Sequence, residues 1–170
     1  MLEFVPIAAV DPAVVEALLD RAFGQNRLRR TAYRLRENVA AIAGLSLAAV
    51  EDGAVVGTIQ CWPVELRSDD GHAHPLVLVG PVAVEPRCQC AGVGKELMHR
   101  VLEAAKQSGE DAALALIGDP EYYARFFGFS SEATAGWRLP GPVERSRLLA
   151  RGDKVPAKPG VLSPRVVVAA

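Results

Sequence analysis

The sequence predicts one α/β domain of the α+β kind, in which helices flank a central sheet of mixed, mostly antiparallel direction. Three strand-like segments follow one another closely between residues 45 and 84, which favours antiparallel neighbours. A strand-helix-strand unit then extends to residue 117, which favours a connection between parallel strands. The length of 170 residues suits a single domain, because folding units cluster at roughly 100 to 200 residues.

Composition and charge exclude several classes of protein. The chain has 19 Lys and Arg against 20 Asp and Glu, a formal net charge of -1, so we do not expect a general polyanion or nucleic-acid binder. No apolar run approaches the length of a membrane span, and the first ten residues lack the plan of a signal peptide. The three cysteines are an odd number, which fits a reducing compartment better than a disulfide framework. We therefore expect a cytoplasmic protein with no membrane contact.

The N-terminal part is predicted to hold a strand and two helices. Residues 2–10 are apolar and strand-like. Asp11-Pro12 combines an N-cap with proline at the first helical position, and Gly24 marks the end of that helix. A second helix is predicted over residues 31–43, because glycine follows it.

A hairpin is predicted over residues 45–64, with Gly53 at the turn position that needs a positive φ. A polar loop at residues 67–75 leads to a third strand at residues 76–84. Gly80-Pro81 interrupts that strand. Proline has no N–H for a ladder and glycine weakens one, so the dipeptide predicts a bulge or a lapse in pairing.

The second half of the chain is predicted to hold two helices and three strands. Residues 1–137 are expected to form the core, and residues 138–170 a proline-rich, basic extension of the same domain. The predicted helices cover residues 93–109 and 120–128, and the predicted strands cover residues 112–117, 147–150 and 166–168.

Residues 82–95 carry the most chemical information, because a strand leads through a loop to two glycines that open a helix. Free amides and the helix dipole at such a site favour an anion, and glycine lets phosphate oxygens approach the backbone. A P-loop would need glycine at Gln89 and Ser or Thr at Glu96, and a dinucleotide-binding loop would need glycine at Leu97. Both motifs fit poorly, and two glycines alone more often mark only a turn of the chain into a helix.

The wider context of this loop resembles the GNAT-type N-acetyltransferases. Residues 89–94, Gln-Cys-Ala-Gly-Val-Gly, resemble the family signature Gln/Arg-x-x-Gly-x-Gly/Ala, and the lead-in Val-Ala-Val-Glu-Pro at residues 82–86 is typical of it. Residues 78–84, Leu-Val-Gly-Pro-Val-Ala-Val, and residues 118–126, Gly-Asp-Pro-Glu-Tyr-Tyr-Ala-Arg-Phe, are similar to the YhbS-like branch. The resemblance covers the order of elements from residue 2 to about residue 129.

The resemblance implies acetyl-CoA as co-substrate, no metal, and a sheet whose fourth and fifth strands splay apart. The pyrophosphate would lie on the loop amides, and the pantetheine arm would pair with the preceding strand like an added strand. Gly80-Pro81 and Gly118-Asp119-Pro120 would help to separate the two strands. The residues implied for acetyl-CoA binding are Val82, Ala83, Val84, Gln89, Cys90, Ala91, Gly92, Val93, Gly94 and Lys95.

The resemblance also implies transfer of an acetyl group to a primary amine by direct attack in a ternary complex. The usual acid of the family is a tyrosine four residues before a Gly-Phe pair, where this chain has Ala124. Phe126-Phe127 resembles a one-residue insertion, which makes Tyr123 the first candidate and Tyr122 the second. The alternatives are that both tyrosines only pack, that another acyl group is transferred, or that the protein is a CoA-binding regulatory or sensor module.

The acceptor side is less defined by the sequence. Glu65, His72 and His74 follow the predicted sheet on the side where a substrate would approach, but none is nominated as a base. Glu85 is expected to brace the loop. Six arginines in the early helices could recognise a carboxylate or phosphate on the substrate. The favoured interpretation is that they form a solvated helix face. They are Arg21, Arg27, Arg29, Arg30, Arg34 and Arg36.

The remaining candidates are cysteines and tryptophans. Cys88 and Cys90 are expected to be small thiols rather than a metal site, because a second cysteine pair is missing. Trp62 and Trp137 would line an acceptor pocket or, more often for isolated tryptophans, pack in the core. The expected partners are a small-molecule amine or a protein amine, and a second copy of the chain in a homodimer.

Overall fold

The computed structural model describes residues 1–166, and for residues 89 and 90 only the course of the backbone. The strands are β1 (Leu2–Pro6), β2 (Leu47–Glu51), β3 (Ala54–Ser68), β4 (Ala73–Val84), β5 (Leu114–Ile117), β6 (Trp137–Arg138), β7 (Leu148–Arg151) and β8 (Gly160–Pro164). The helices are α1 (Pro12–Phe23), α2 (Thr31–Arg34), α3 (Val93–Ser108) and α4 (Pro120–Phe127).

These strands form one mixed sheet, in the order β1-β2-β3-β4-β5-β7, with β8 beside the far part of β3 and β6 beside β8. The pairs β4–β5 and β6–β8 are parallel, and the remaining pairs are antiparallel. The predicted fold class, a mostly antiparallel sheet flanked by helices, is confirmed. No helix in the described part of the chain is long and apolar enough to cross a membrane.

Local signals place the first helix and the first hairpin as predicted. The Asp11 side chain accepts a hydrogen bond from the Ala13 amide at 2.9 Å, and α1 ends at Gly24, whose φ is 88°. The turn between β2 and β3 has φ of 52° at Asp52 and 82° at Gly53. Two positive values in succession are what a tight two-residue hairpin turn requires.

The prediction for the second helix is wrong in its length, because α2 has only four residues. The chain continues in turns after Arg34, and Asn38 adopts φ of 61°, which excludes a helix that runs through residue 38. The Ile42 amide then donates to the carbonyl of Cys61 at 2.8 Å, so the chain runs against the sheet instead of closing helical hydrogen bonds. A sheet contact 19 residues away therefore overrides the local helical pattern.

The predicted polar loop at residues 67–75 is also too long. Arg67 pairs with Ala73, and Leu66 pairs with His74, so both strands continue almost to the tip of the hairpin. The Ser68 amide closes the turn by donating to the His72 carbonyl at 2.9 Å. Cross-strand hydrogen bonds hold these polar residues in strands despite their weak hydrophobic signal.

In the C-terminal extension, β7 confirms the strand predicted at residues 147–150, but the strand predicted at residues 166–168 is wrong where it can be judged. Val166 lies outside any strand, and residues 167 and 168 lie outside the described residues. The strand is instead β8, which begins at Gly160. A Cβ there would lie 2.5 Å from the Arg67 carbonyl oxygen, so the glycine allows close approach of two strands rather than breaking one.

The sheet separates beside β4. This strand pairs with β5 only at Val77 and Leu78, so the ladder stops before Gly80. On the other edge, two residues of β4, Gly80 and Pro81, oppose one residue of β3. The predicted bulge and the splay of the fourth and fifth strands are thus both present.

Side chains of β4 alternate between two apolar layers. Val77 and Val79 join the layer that contains α3, and Leu76 and Leu78 join the opposite layer, which contains Trp137. The approach of α3 to the sheet is close, because a Cβ at Gly57 would lie 2.8 Å from Val93 Cγ1. The extension contributes Leu148 and Leu162 to the second layer, while the domain boundary at residue 137 stays a prediction.

Candidate active site

A cavity of about 580 Å³ opens where β4 and β5 separate. Three parts of the chain supply most of its wall: the bulge of β4, the end of β5 with the start of α4, and the segment from the end of α1 to residue 36. A fourth part comes from the C-terminal extension. The lining includes Arg27, Arg30, Tyr33, Arg36, Leu78–Val82, Leu116–Asp119, Tyr122, Tyr123, Pro142–Glu144 and Arg147.

Both candidate tyrosines lie on α4 and line this cavity. Asp119 caps the helix, since its carboxylate accepts from the Glu121 amide at 3.0 Å. The Tyr123 ring rests on Gly118, where a Cβ would lie 2.6 Å from Tyr123 Cε2. Tyr122 meets Tyr123 edge to face, with ring centroids 5.0 Å apart. The missing side chain at Gly118 therefore determines where the Tyr123 phenol lies.

Both phenols of α4 are protonated at neutral pH, and their surroundings hold the proton more tightly than usual. Burial raises the pKa of Tyr123 to about 12, and the neighbouring Tyr122 adds to the shift. Burial also raises the pKa of Tyr122 above its ordinary value. Each phenol can therefore act as a hydrogen-bond donor to a group in the cavity.

Ala124, at the position where the family usually has its tyrosine, is exposed and does not line the cavity. The helix ends at Gly128, with φ of 72°, whose amide donates to the Ala124 carbonyl at 3.2 Å. The side chains that enter the cavity are those one and two positions earlier. This placement agrees with the one-residue insertion, and the assignment of the catalytic acid stays a prediction.

The glycine loop forms a 3-10 turn over Pro86–Ala91 and then enters α3 through Gly92. Gly92 has φ of 78°, in the left-handed region that favours glycine. The amides at the start of this 16-residue helix lack helical partners, which makes the position suitable for an anion. In the first turn, the Lys95 ammonium lies 3.6 Å from the Phe126 ring centroid.

The end of β4 connects the loop to the cavity. Residues 82–84 pair with β3 on one edge, and no other described strand pairs with them on the opposite edge. Val82 lines the cavity and also lies close to the loop, since its Cγ1 would be 3.8 Å from a Cβ at Gly94. One continuous path therefore leads from the loop amides along a free strand edge into the cavity.

Glu85 braces this region, as expected from the sequence. It accepts from Arg21 of α1, with Nη2 to Oε2 at 2.8 Å and Nε to both carboxylate oxygens at 3.2 Å. These hydrogen bonds hold the pKa of the Glu85 carboxyl below its usual value. The pair ties the first helix to the start of the glycine loop.

The favoured interpretation of the arginines as a solvated face is wrong for two of them. Arg27 is 3% exposed and donates to Asp20 at 3.0 Å, to the Tyr33 hydroxyl at 2.6 Å and to Glu16. Burial alone lowers the pKa of Arg27, but these hydrogen bonds outweigh it and raise the pKa above its ordinary value. Arg36 is half-buried between the rings of Tyr33 and Trp62, at 3.7 and 4.6 Å from their centroids.

Other sequence candidates lie outside the cavity lining. His72 and His74 lie at or beside the tip of the β3–β4 hairpin, where His74 Nε2 is 3.2 Å from Ser68 Oγ. Burial raises the pKa of the Cys61 thiol to about 12, so this cysteine is a neutral core residue. Trp137 is fully buried, and its indole N–H donates to the Pro156 carbonyl at 3.1 Å. No group of three or more metal-binding side chains occurs among residues 1–88 and 91–166.

Nothing in the sequence indicated that Tyr33 and Arg147 contribute to the cavity wall. Tyr33 and Arg36 are three residues apart, a spacing that would have suggested contact, but the role of Trp62 in holding Arg36 has no local signal. Arg147 reaches the cavity because its carbonyl accepts from the Gly118 amide at 2.9 Å, which aligns the extension with β5.

Comparisons with known proteins agree with this geometry. A family model described as the acetyltransferase (GNAT) family matches residues 13–129. A GNAT family N-acetyltransferase (YhbS) from Escherichia coli, solved in complex with CoA, is similar at 26% identity and a TM-score of 0.71, over 97% of this chain and 89% of that one. A comparison with curated protein sequences finds no significant match.

A second solved structure supports the fold. It is a GNAT family acetyltransferase from Brucella melitensis in complex with acetyl-CoA, which is 23% identical with a TM-score of 0.63. The similarity covers 97% of this chain and 96% of that chain. Both matches extend through the C-terminal region that lies beyond the family model.

Proposed function

The chain belongs to the acetyltransferase (GNAT) family, and we propose that it transfers the acetyl group of acetyl-CoA to a primary amine. The observation that carries the proposal is the cavity between β4 and β5. A protonated tyrosine lines this cavity, and the free edge of β4 ends at its wall. The co-substrate is acetyl-CoA, as in the family. Transfer to an amine and the residues that perform it are the proposed part.

Acetyl-CoA is proposed to bind along the path that joins the loop to the cavity. The pyrophosphate would accept hydrogen bonds from the amides of residues 89–94, where the helix dipole contributes about 0.3–1 kcal/mol when the site is exposed. The pantetheine amides would pair with the free edge of residues 82–84. This arrangement brings the thioester to Val82, at the wall of the cavity.

The reaction is proposed to proceed by direct attack in a ternary complex. The neutral amine nitrogen attacks the thioester carbonyl carbon, the carbon–sulfur bond breaks, and the nitrogen loses a proton to water. The sulfur leaves as a thiolate, which is protonated. Cys61 and Cys88 are buried and do not line the cavity, which gives no support to a route through an acyl group on either thiol.

Tyr123 is proposed to donate its hydroxyl proton towards the leaving sulfur. A phenol with a pKa of about 12 stays protonated at neutral pH, so the donor is present when the sulfur gains charge. Tyr122 is the second candidate, because it lines the same cavity and its ring contacts Tyr123. Water would return the proton to the phenol after the thiol has left.

A second candidate function is a CoA-binding regulatory or sensor module without efficient catalysis. The observation that favours it is Ala124, exposed at the position where the family usually has its tyrosine. In that case acetyl-CoA would bind along the same path, but no amine would react. Transfer of an acyl group other than acetyl is a variant of the first proposal.

The test combines binding with turnover. Thermal shifts with acetyl-CoA and CoA report binding, and release of free thiol reports transfer to a panel of primary amines. We expect both ligands to stabilise the protein and at least one amine to release thiol. Stabilisation without thiol release from any amine would support the sensor module, and no stabilisation would remove acetyl-CoA from the proposal.

Two matched variants test the acid. Tyr123→Phe removes only a hydroxyl, so we expect the kcat to fall about 10²- to 10⁴-fold while acetyl-CoA affinity is retained. Tyr122→Phe, on the same helix and in the same cavity, is the control, and its kcat should fall far less. A large loss only in Tyr122→Phe would exchange their roles, and full turnover in both would remove the tyrosines from the mechanism.

A further inference from the structure

We infer that the acceptor is a small amine that also carries a compact anionic group, a carboxylate or a phosphate, and that Arg36 binds this group inside the cavity. The inference rests on the proposed acetyl transfer and adds the chemical class of the acceptor. It follows from how Arg36 is held, from the charges around it and from the size of the cavity.

Two aromatic rings fix the Arg36 guanidinium. Its central carbon lies 3.7 Å from the Tyr33 ring centroid and 4.6 Å from the Trp62 ring centroid. Trp62 is itself anchored, since its indole N–H donates to the Gly80 carbonyl at 2.9 Å. A guanidinium held in this way loses little further freedom on binding, and its planar N–H groups match the two oxygens of a carboxylate or phosphate.

The Arg36 guanidinium has no carboxylate partner within 4 Å among the described residues, although Tyr33 interacts with it. Its Nη1 atom is buried without a hydrogen-bond acceptor, and none of the ion pairs formed among residues 1–166 includes Arg36. Arg27 is the contrast within the same wall, because Glu16 and Asp20 both accept from it. Because Nη1 is enclosed, a ligand oxyanion would accept from the part of the guanidinium that lines the cavity, where no carboxylate of the described residues competes for it.

The charges around the cavity leave it electropositive. Apart from Arg27, which is paired, the basic residues of the lining are Arg30, Arg36 and Arg147, and the acidic residues are Asp119 and Glu144. Asp119, Glu144, Arg30 and Arg147 are all exposed, and Asp119 is engaged as the cap of α4, so Arg36 is the partly buried charge that no carboxylate balances. This balance opposes a polycationic acceptor and favours one with a negative group.

The same charges would assist the reaction. A cation near the acceptor ammonium disfavours its charged form, so a larger share of the amine would be neutral and nucleophilic. A volume of about 580 Å³ accommodates a small molecule together with the acetyl end of the co-substrate. Arg36 and the proposed acid, Tyr123, line this one cavity, so one small acceptor can reach both.

The experiment compares matched pairs of acceptors. Amino acids are compared with their amides, and aminoalkyl phosphates with the corresponding amino alcohols, by thiol release from acetyl-CoA. We expect the anionic member to have a kcat/KM about 10- to 100-fold higher in at least one pair type. The pair type that shows the preference distinguishes a carboxylate from a phosphate. Equal use of both members overturns the inference and leaves the acetyl transfer intact.

Variants assign the preference to Arg36. In Arg36→Met the ratio of kcat/KM between the anionic and the neutral acceptor should fall towards one, mainly through a higher KM for the anionic acceptor. In Arg36→Lys the ratio should be intermediate, because the charge remains but the planar guanidinium is lost. Arg29→Met is the control, because Arg29 is an exposed arginine of the same segment that does not line the cavity. An unchanged preference in Arg36→Met and Arg36→Lys overturns the assignment.

Binding provides a readout that does not depend on turnover. Calorimetry measures how the CoA-bound protein binds an anionic amine, in the wild type and in Arg36→Met. If no amine releases thiol but binding still requires Arg36, the proposed transfer fails while the anion site stands. If no amine in either set of pairs shows Arg36-dependent binding, the inference is overturned.

Discussion

The two sides of the cleft between β4 and β5 are built from different kinds of chemical group. The side proposed for acetyl-CoA consists of backbone groups, namely the free edge of residues 82–84 and the amides of residues 89–94. The acceptor side consists of side chains, with Arg36 held between Tyr33 and Trp62. Backbone groups are the same in every sequence that adopts the fold, whereas side chains can change without altering it.

This contrast separates what each kind of substitution should do. On the backbone side, most side-chain replacements leave the N–H groups in place, so only changes that alter the course of the chain should matter. On the side-chain side, single replacements should alter acceptor use or chemistry and spare acetyl-CoA binding. The following predictions test this division, beginning with the largest expected effect.

Gly92→Val should weaken acetyl-CoA binding about 100-fold or more. Gly92 has φ of 78°, which a β-branched residue adopts only with strain, and its side chain would lie where the pyrophosphate approaches. Titration with acetyl-CoA measures the loss.

Gly109→Val is the matched control. Gly109 has φ of 76° at the other end of α3, and a Cβ at either glycine would have no atom within 4 Å. The two variants should lose similar stability, and only Gly92→Val should lose affinity. Equal affinity in both would move the pyrophosphate away from this loop.

Gly118→Ala should reduce the kcat about 10- to 100-fold and leave acetyl-CoA affinity nearly unchanged. The added methyl group would lie 2.6 Å from Tyr123 Cε2, so the ring must move from its position in the cavity. Gly44→Ala is the control, because its Cβ would have no atom within 4 Å. Steady-state kinetics of both variants give the comparison, and wild-type kcat in Gly118→Ala would contradict the placement of the acid.

Arg21→Met and Glu85→Gln should each weaken acetyl-CoA binding by less than about fivefold. The pair is solvent-exposed on the arginine side, and such ion pairs contribute little because water and salt screen them. The effect should diminish as salt increases. The double variant should resemble the single ones, since both remove the same brace, and fully additive losses would show that the two residues act separately.

The pH profile should show the smallest effect. Burial raises the pKa of Tyr123 to about 12, so its protonated form persists above pH 10, where an ordinary tyrosine is half ionised. We expect kcat/KM to rise with pH as the acceptor ammonium deprotonates, and ionisation of Tyr123 to lower it by less than about twofold up to pH 10.

The sign for stability follows from the same shift. The folded state holds the Tyr123 proton more tightly than the unfolded chain, so this contribution is present below pH 10 and is lost as the pH rises towards 12. Circular dichroism at each pH separates unfolding from loss of catalysis. A fall of kcat/KM below pH 10 in folded protein would contradict Tyr123 as the acid.

Much of the fold was predictable because its signals are local. Asp11-Pro12 starts α1, Gly53 turns the first hairpin, and Gly80-Pro81 produces the bulge, each through the φ values and donors of the residues themselves. The failures have a different cause. The helix predicted over residues 31–43 is shortened by a hydrogen bond to the sheet at Cys61. The strand β8 was missed because glycine usually disfavours a strand, and the close approach to Arg67 that requires Gly160 is a tertiary contact.

The candidate site divides in the same way. By itself, the sequence determined the glycine loop and the strand that leads to it, since both depend on residues close together in the chain, and its resemblance to the family made the two tyrosines candidates. Only the tertiary structure decided that carboxylates balance the charge of Arg27, that Trp62 and Tyr33 hold Arg36, and that Gly118 positions Tyr123. Backbone recognition is encoded by local φ preferences and helix starts, whereas the charge and shape of a cavity depend on which distant side chains pack together.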